Sequence, residues 1–498
     1  MYFLAIDQST AATKIIMFDQ SLNVVDQESL SHQQIYPAPG WVEHDPEEIY
    51  QNLISASNKL ISRHPEKQED ILSLSLTNQR ETFVVFDSAT GSPLHNAIVW
   101  QCRRGENICQ SLSNFGEVIH AKTGLKLDTY FPASKLVWLL EENPEIRQKL
   151  ADGSALFGTI DTYLLYRLTN GECYATDHTN ASRTLFFDIH TLNWDKMLLD
   201  IFNLAFSRLP EIKESGSQFG ETNIGGVLNR SIPIMGVMGD SQAALFAQRC
   251  FEPGSAKITF GSGSSILMNI GENPVLSDKG MVTSLAWVYQ DQQTYAFEGI
   301  TNFTGSIITW LRDQLMIIDS VEETESIASS IPDTDGVYLV PSFVGFSAPY
   351  WRPNARAGII GLTPSSTKAH VVRAALESIA YLLTGVLQQL AEESDADLRA
   401  ISADGGATQN RFLMQFVADV SRLSVKVSSI PVLSAHGATM IGALGSNIFE
   451  SFEEITKIPF NYEIFHPIMA EEQAQSYFHE WETAVTKVLY EREKDENI

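Results

Sequence analysis

A short apolar run, Ile234-Met235-Gly236-Val237-Met238, reaches Gly239 and is followed by Asp240-Ser241 and an Ala-rich segment from Gln242. The run reads as a buried strand and the segment as a helix, which sets the Asp240 carboxylate at a strand-to-helix turn. A carboxylate there can cap the helix by accepting a backbone N–H, or, at the lip of a cleft, it can serve as a general base. For Asp240 taken alone the cap is the commoner outcome. What favours the base is a set of Gly, Ser and Thr turns on both sides of it in the chain, with the composition of phosphate-holding loops.

The first such turn is Asp7-Gln8-Ser9-Thr10-Ala11-Ala12-Thr13-Lys14, between the apolar runs Leu4-Ala5-Ile6 and Ile15-Ile16-Met17-Phe18. It is either an ordinary hairpin or one that turns backbone N–H groups and hydroxyls toward an anion, with Lys14 adding charge. Asp7, at the strand end, is a suitable Mg²⁺ ligand, since that ion takes one or two carboxylates together with phosphates and water. Ala256 to Phe260, Gly261-Ser262-Gly263-Ser264-Ser265 and Ile266 to Ile270 repeat this grammar. A strand–turn–strand unit opening each half predicts a duplicated architecture. A third turn, Asp404-Gly405-Gly406-Ala407, lies between the strand-like Leu398 to Ala403 and a helix from about Asn410. Two glycines there let a planar base approach the backbone.

Other elements would position an acceptor. The alternating Leu72 to Leu76 strand delivers Asn78-Gln79-Arg80-Glu81-Thr82, in which Arg80 and Glu81 are a surface ion pair or, in a cleft, a clamp on a hydroxyl. Ala97-Ile98-Val99-Trp100 sets an aromatic face at another strand end, suited to the carbon side of a polyol. Asp45-Pro46-Glu47-Glu48 starts a helix, His44 beside it reads as structural, and Val371 to Leu390 reads as a long apolar helix. The polar loop Thr176 to Arg183 carries no motif of its own.

Composition narrows the functional classes. The chain of 498 residues exceeds what one core supports, so at least two domains are expected. With 44% hydrophobic and 19% charged residues it is globular, and its net charge of −27 argues against nucleic acid or an anionic membrane as partner. Phosphates would then be held by local donors and a metal ion. Four scattered cysteines form no C-x-x-C pair, Met1 runs into a strand-like pattern without a leader, and no apolar run approaches the roughly 20 residues of a membrane span. The expected location is cytoplasmic, and the sequons at Asn180 and Asn302 are read as chance. No P-loop occurs, Ile266 replaces the third glycine of a dinucleotide fingerprint, and Thr483 stands where a zincin opening at His479-Glu480 needs histidine. The carboxylates show no glycosidase-like pairing.

The motifs together resemble the FGGY carbohydrate kinases, and within them the glycerol kinases. The resemblance covers nearly the whole chain. It is carried by Asp7-Gln8-Ser9-Thr10, Tyr36 to Pro46 with Trp41-Val42-Glu43-His44-Asp45-Pro46, Asn78 to Thr82, Ala97 to Arg104, Asn180 to Thr184, Ala348-Pro349-Tyr350-Trp351 and Asp404 to Ala407. It implies an α/β fold of two actin-like (ribonuclease-H-like) domains with a ligand cleft between them, here residues 1–246 and 247–498. It also implies transfer of the ATP γ-phosphoryl group to a small polyol or sugar with Mg²⁺, in a homodimer or homotetramer. By position, Asp240 resembles the general base and Asp7 the magnesium-associated carboxylate. Arg80, Glu81, Trp100 and Tyr130, with Ser241 and Ser265, correspond to the polyol pocket. Thr10, Ala11, Ala12 and Lys14 correspond to the first phosphate hairpin and Ser262 to the second, while Gly305, Thr309, Gly406 and Asn410 correspond to the adenosine and phosphate side.

Departures accompany these matches. Ser241 stands where glycerol kinases carry glutamine, and Ser265 where they set a phenylalanine against the substrate carbons. Ser9 replaces a glycine, Ala11 and Ala12 replace hydroxyl residues, Lys14 an arginine and Thr309 a glutamine. Residues 225–230 are unlike the arginine-bearing regulatory loop of some bacterial relatives, so inhibition by a sugar bisphosphate is not expected. The resemblance therefore implies a glycerol-type kinase, with a four- or five-carbon polyol or ketose kinase as the alternative reading. A non-catalytic actin-like nucleotide-binding protein is the third, and retention of Asp7 and Asp240 disfavours it.

Overall fold

The computed structural model describes residues 1–493, apart from Asn302, Val344, residues 347–349, Trp351, Pro353, Asp395 and Pro431. Two mixed sheets dominate it. The first has strand order Gln218–Thr222, Ile232–Gly239, Ile71–Asn78, Tyr2–Gln8, Ala12–Asp19, Val24–Ser31. The second runs Val282–Tyr289, Gln292–Thr301, Ser264–Gly271, Ser255–Phe260, Ala400–Gly405, Val425–Ser428, Tyr462–Phe465.

The duplication expected from the two hairpins is present. In each sheet an opening strand pairs antiparallel with its hairpin partner on one side and parallel with a crossover strand on the other. The order around that opening strand is the same in both.

This topology gathers the chemistry at one edge. Tyr2–Gln8, Ile71–Asn78 and Ile232–Gly239 are mutually parallel, with Gln8 opposite Asn78 and Asn78 opposite Gly239. Three carboxyl ends therefore lie side by side, where open α/β sheets bind ligands because the chain leaves each strand there. The hairpin, the Gln79-Arg80-Glu81 turn and Asp240 all emerge from this row. In the second sheet Phe260 is opposite Gly405, which aligns its hairpin and glycine turn in the same way.

Each sheet has its own apolar core, and a third core joins them. The helix Leu433–Gly445 lies against both the helix Asp240–Ala247 and the strand Ile232–Gly239, so a segment late in the chain buries the back of the first sheet. The helix Lys368–Ser394 is long and apolar enough to cross a membrane, with mean hydropathy 1.3 over its most apolar stretch, longer than the apolar runs credited from sequence. Its surroundings explain it: 83% of that stretch is buried, much of it in the second core. Asp45 caps the helix Pro46–Arg63 by accepting from Glu47 N, as its sequence predicts. A four-stranded sheet of Glu43–His44, Ala97–Ile98, Phe83–Asp87 and Ala155–Thr159 sits beside the first lobe with its own core and carries Trp100 at its rim.

Candidate active site

Local pairing sets the two hairpin turns. The strands reach Gln8 and resume at Ala12, so the long polar turn read from the sequence shrinks to Ser9–Ala11, closed by Ser9 N donating to Ala12 O at 2.9 Å. Asp7 and Lys14 are consequently a cross-strand pair with Nζ–Oδ2 at 3.3 Å. Burial pushes the Asp7 carboxyl up, Lys14 opposes this, and the nearby Asp240 charge adds to it. A carboxylate so placed gains from a cation. Among the described residues no three metal-binding side chains form a cage, so the residues fit Mg²⁺ held through Asp7 together with phosphate oxygens and water.

The second hairpin, Gly261–Gly263, is sewn to the start of the helix Gly305–Asp313. Thr304 N and Ser306 N donate to Ser262 O at 2.9 and 3.0 Å, and Gly305 N donates to Gly261 O at 3.0 Å. The structure thus uses Gly305 to anchor the hairpin. Thr309, one turn on, is exposed and donates to Gly305 O, and it lines neither central cavity. Asn410 caps the helix Arg411–Ser421 through Leu413 N and donates to Thr324 Oγ1, so its side chain serves the fold. In the glycine turn, Gly405 has φ +99°, and a Cβ there would stand 2.3 Å from Phe260 O. Gly406 has open space where its Cβ would be and lines the cavity.

Asp240 is the first helical residue, while the cap position belongs to Gly239, which makes no side-chain cap bond. The cap position is therefore not that of Asp240, whose carboxylate still takes an N–H of the first helical turn. The Asp240 side chain is 36% exposed; its Oδ1 accepts from Ser241 N at 2.7 Å and faces Arg80 Nε at 3.3 Å. Gly239 makes this crossing possible, because a Cβ there would meet Arg80 Cγ at 2.8 Å.

Arg80 and Glu81 are buried, and each has a stronger partner than the other. Arg80 grips Glu298 with two nitrogens, at 2.7 and 3.2 Å, while Arg183 donates to Glu81 at 2.5 Å and reaches Glu298 at 2.7 Å. The direct Arg80–Glu81 distance is 3.9 Å. Burial would raise Glu298, but Arg183 and Arg80 outweigh it and hold the carboxyl at about 2. For Glu81 burial wins and the carboxyl is pushed up. Glu298, on the second lobe, thus pins two arginines of the first.

The pocket wall is held from behind. Trp100 and Tyr130 stand with ring centroids 5.4 Å apart. The ammonium of Lys135, fully buried, donates to the carbonyls of Val99, Trp100 and Tyr130 at 3.1–3.3 Å, and burial lowers its pKa to about 8. Burial also raises the Tyr130 phenol.

Two cavities meet at Asp240. One of about 670 Å³ is lined by Thr10, Arg80, Glu81, Trp100, Tyr130 and Ser262, among others. The other, of about 550 Å³, is lined by Asp7, Lys14, Lys257, Asp404, Gly406 and residues 428–430 and 432–434, among others. Asp240, Ser241 and Ser265 line both. Ser265 Oγ is buried with no hydrogen-bond partner among the described residues. Ala11 at the exposed hairpin tip and Ala12 on the following strand line neither.

Residues outside the sequence-derived site complete it. Neither Arg183, within a motif of the resemblance, nor Glu298 was singled out as a site residue from the sequence, and Gln242 Oε1 also accepts from Arg80 at 3.4 Å. Buried Lys257 and half-buried Asp404 face the second cavity, desolvation pushing the lysine down and the carboxyl up while each opposes the shift of the other. The Thr176–Arg183 stretch, read as a loop from its polarity, is instead the end of the strand Ala175–Asp177 and the helical turn His178–Ala181, and apart from Arg183 it serves as scaffolding. Asp177 accepts from Thr179, Asn180 and Ser215, and Thr179 Oγ1 accepts from Gly239 N, fixing the strand end before Asp240. Asn180 is buried and bonded to Asn78 and Asp177, so its sequon is inaccessible. Asn302, and all of 348–351 except Tyr350, lie outside the described residues.

The model for the N-terminal domain of the FGGY family of carbohydrate kinases matches residues 2–247, and that for the C-terminal domain residues 256–446. A protein named glycerol kinase 1 from Thermotoga maritima is 46% identical, covering 99% of this chain and all of its own. A glycerol kinase from Caldanaerobacter subterraneus subsp. tengcongensis is 44% identical over 98% of both chains. Among solved structures, Plasmodium falciparum glycerol kinase with ADP superposes with a TM-score of 0.94 at 39% identity, covering 98% of each chain.

Proposed function

The chain belongs to the FGGY family of carbohydrate kinases, and from that premise we propose that it phosphorylates a hydroxyl of glycerol, or of a closely related small polyol, at the expense of ATP with Mg²⁺. One observation carries the reading: Asp240 stands where the two cavities meet, the larger walled by aromatics and an arginine–glutamate cluster, the other by the hairpin pair Asp7–Lys14 and the glycine turn.

The acceptor lies in the larger cavity, its carbons against Trp100 and Tyr130 and its hydroxyls facing Arg80 and Glu81. Asp240 takes the proton of the attacking hydroxyl as that oxygen bonds to the γ-phosphorus. The bond from phosphorus to the β–γ bridging oxygen breaks, and ADP leaves. Such transfers depend on positioning and charge screening more than on covalent help from the protein. Mg²⁺, when bound, screens phosphate charge. Asp7 would hold it, and Lys14, the Ser262 hydroxyl and the Gly406 backbone face the nucleotide. Thr10 belongs to the hairpin but reaches the acceptor cavity. Cytoplasmic action as a homodimer or homotetramer completes the reading, and light scattering measures the assembly.

A second reading, a four- or five-carbon polyol or ketose as the preferred acceptor, is favoured by the wall at Ser241 and Ser265. Two serines line that side, Ser265 Oγ is buried with no partner among the described residues, and the cavity of about 670 Å³ exceeds the volume of a three-carbon substrate. Additional substrate hydroxyls would find partners there.

Asp240→Asn tests the base. We expect turnover to fall by roughly 10²–10⁴-fold with nucleotide affinity unchanged, since only the proton acceptor is lost. Turnover within a few-fold of the parent, in a coupled ADP-release assay, would remove Asp240 from the mechanism.

A further inference from the structure

Six residues from five separate stretches close a ring of hydrogen bonds beneath the site. Gln34 Nε2 donates to Thr10 O at 2.9 Å, and Gln34 Oε1 lies 2.9 Å from His44 Nε2. His44 Nδ1 lies 3.4 Å from Gln79 Nε2, and Gln79 Oε1 accepts from Thr82 Oγ1 at 3.0 Å. Thr82 Oγ1 in turn accepts from Trp100 N at 3.2 Å, and the Trp100 indole N–H returns to Thr10 Oγ1 at 3.0 Å.

The polarity of the ring is consistent all the way round. The Thr10 carbonyl can only accept, which fixes the Gln34 amide, leaves its oxygen toward His44 and makes Nε2 the protonated nitrogen of that imidazole. Nδ1 is then free to accept from Gln79. His44 and Gln79 are buried, with the His44 ring edge-on to His32 at 4.5 Å. Burial, reinforced by His32, lowers the His44 pKa to about 3, so the neutral tautomer the ring needs is the one present near neutral pH.

The ring joins two functional surfaces. Thr10 is the turn residue of the hairpin that carries Asp7 and Lys14, while Gln79 precedes Arg80 and Trp100 walls the acceptor cavity. We propose that His44 is a positioning residue which, through this closed ring, ties the phosphate-facing hairpin to the acceptor wall, so that filling one cavity raises affinity at the other. This rests on the kinase reading above. Linkage makes the effect reciprocal: the factor by which nucleotide tightens the acceptor equals the factor by which acceptor tightens nucleotide.

The test uses the full chain and four variants. Thr82→Val, Gln34→Met and His44→Phe each break the ring, and Thr82→Ser keeps the hydroxyl while losing a methyl group. Dissociation constants for glycerol are measured by calorimetry with and without a non-hydrolysable Mg-ATP analogue, and for the analogue with and without glycerol. We expect the parent to show mutual tightening, and the three breaking variants to lose it while single-ligand affinities weaken by no more than about 5- to 150-fold, the scale of the two ring hydrogen bonds each removes. Thr82→Ser should retain the coupling. A purely structural role would weaken the single-ligand affinities, through the Trp100 N–H and Gln79 Oε1 that Thr82→Val leaves unpaired, but would leave the ratio of affinities with and without the second ligand unchanged. Absence of coupling in the parent, or its persistence in the folded breaking variants, overturns the proposal. If the parent binds the analogue but no polyol, the kinase reading fails instead, and the ring is judged on the hairpin alone: Gln34→Met and Thr82→Val must then weaken analogue binding and Thr82→Ser must not.

Discussion

Replacing Glu298 by Gln keeps the shape of the side chain and removes the second-lobe charge that holds both Arg80 and Arg183. Two routes give the size of the effect. The carboxyl falls from 4.5 to about 2 in the folded protein, which at 1.36 kcal/mol per pH unit is about 3 kcal/mol of preference for the charged form. Removing one partner of a buried ion pair independently costs ~3–5 kcal/mol, because the charge left behind stays desolvated. We therefore expect Glu298→Gln to lower the unfolding free energy by about 3 kcal/mol at pH 7. The sign follows from the depressed carboxyl: its contribution is complete above pH 4.5 and is lost as pH falls through about 2. The gap between parent and variant should accordingly be flat from pH 5 to 8. Function should change too. With Glu298 neutral, Arg80 turns to its remaining acidic neighbours Asp240 and Glu81, and a tighter Arg80–Asp240 pair makes Asp240 a weaker base. We expect kcat to fall about 10-fold, within the range that base strength commands. Urea unfolding and steady-state kinetics measure both. A variant within 1 kcal/mol of the parent in stability, with unchanged kcat, would refute the assignment of Glu298 as the pin of the cluster.

The two glycines of the nucleotide-side turn should separate. Gly405→Ala forces a Cβ to 2.3 Å from Phe260 O at φ +99° and should lower Tm, whereas Gly406→Val should leave Tm alone and weaken nucleotide binding in a titration. Lys135 should give a pH signature. Its folded pKa of about 8 lies below the ordinary 10.5, so between these values the unfolded chain binds more protons and the Lys135 contribution to stability rises with pH. The deprotonated amine has one donor fewer for its three carbonyls, so KM for the acceptor should rise above pH 8; Lys135→Met should abolish both trends in Tm and KM profiles. Ser241→Gln/Ser265→Phe should shift kcat/KM toward glycerol and away from longer polyols, the added ring supplying ~1–3 kcal/mol of apolar contact. Clear preference for glycerol in the parent, with no shift in the double variant, would remove the longer-polyol reading.

Where the chemistry is carried by neighbours in the chain, it was legible. Alternation and short apolar runs gave the strands either side of Ser9–Ala11 and Gly261–Gly263, and the Asp45-Pro46 start of a helix gave its cap. The strand-to-helix junction at Asp240 was legible for the same reason, although the cap position fell one residue earlier, on Gly239. Asn410 shows the converse. A strand–glycine–helix pattern fits both a ligand contact and a helix cap, and only the bonds to Leu413 N and Thr324 show that its side chain holds the helix start.

By itself the sequence determined the hairpins, the strand ends and the residue types offered at them, because hydrogen bonding within a strand or helix depends on periods of two and 3.6 residues that a short window contains. Tertiary structure alone decided the partners. Arg80 meets Glu298 across 218 residues, Arg183 meets Glu81 across 102, and His44, with no spaced partner in the sequence, bridges Gln34 and Gln79. These pairings arise only once sheet register aligns Gln8, Asn78 and Gly239 and the second lobe closes over that row. A charge or imidazole removed from water must then find its complement among whatever the fold brings within about 3 Å, and no local period records which residue that will be.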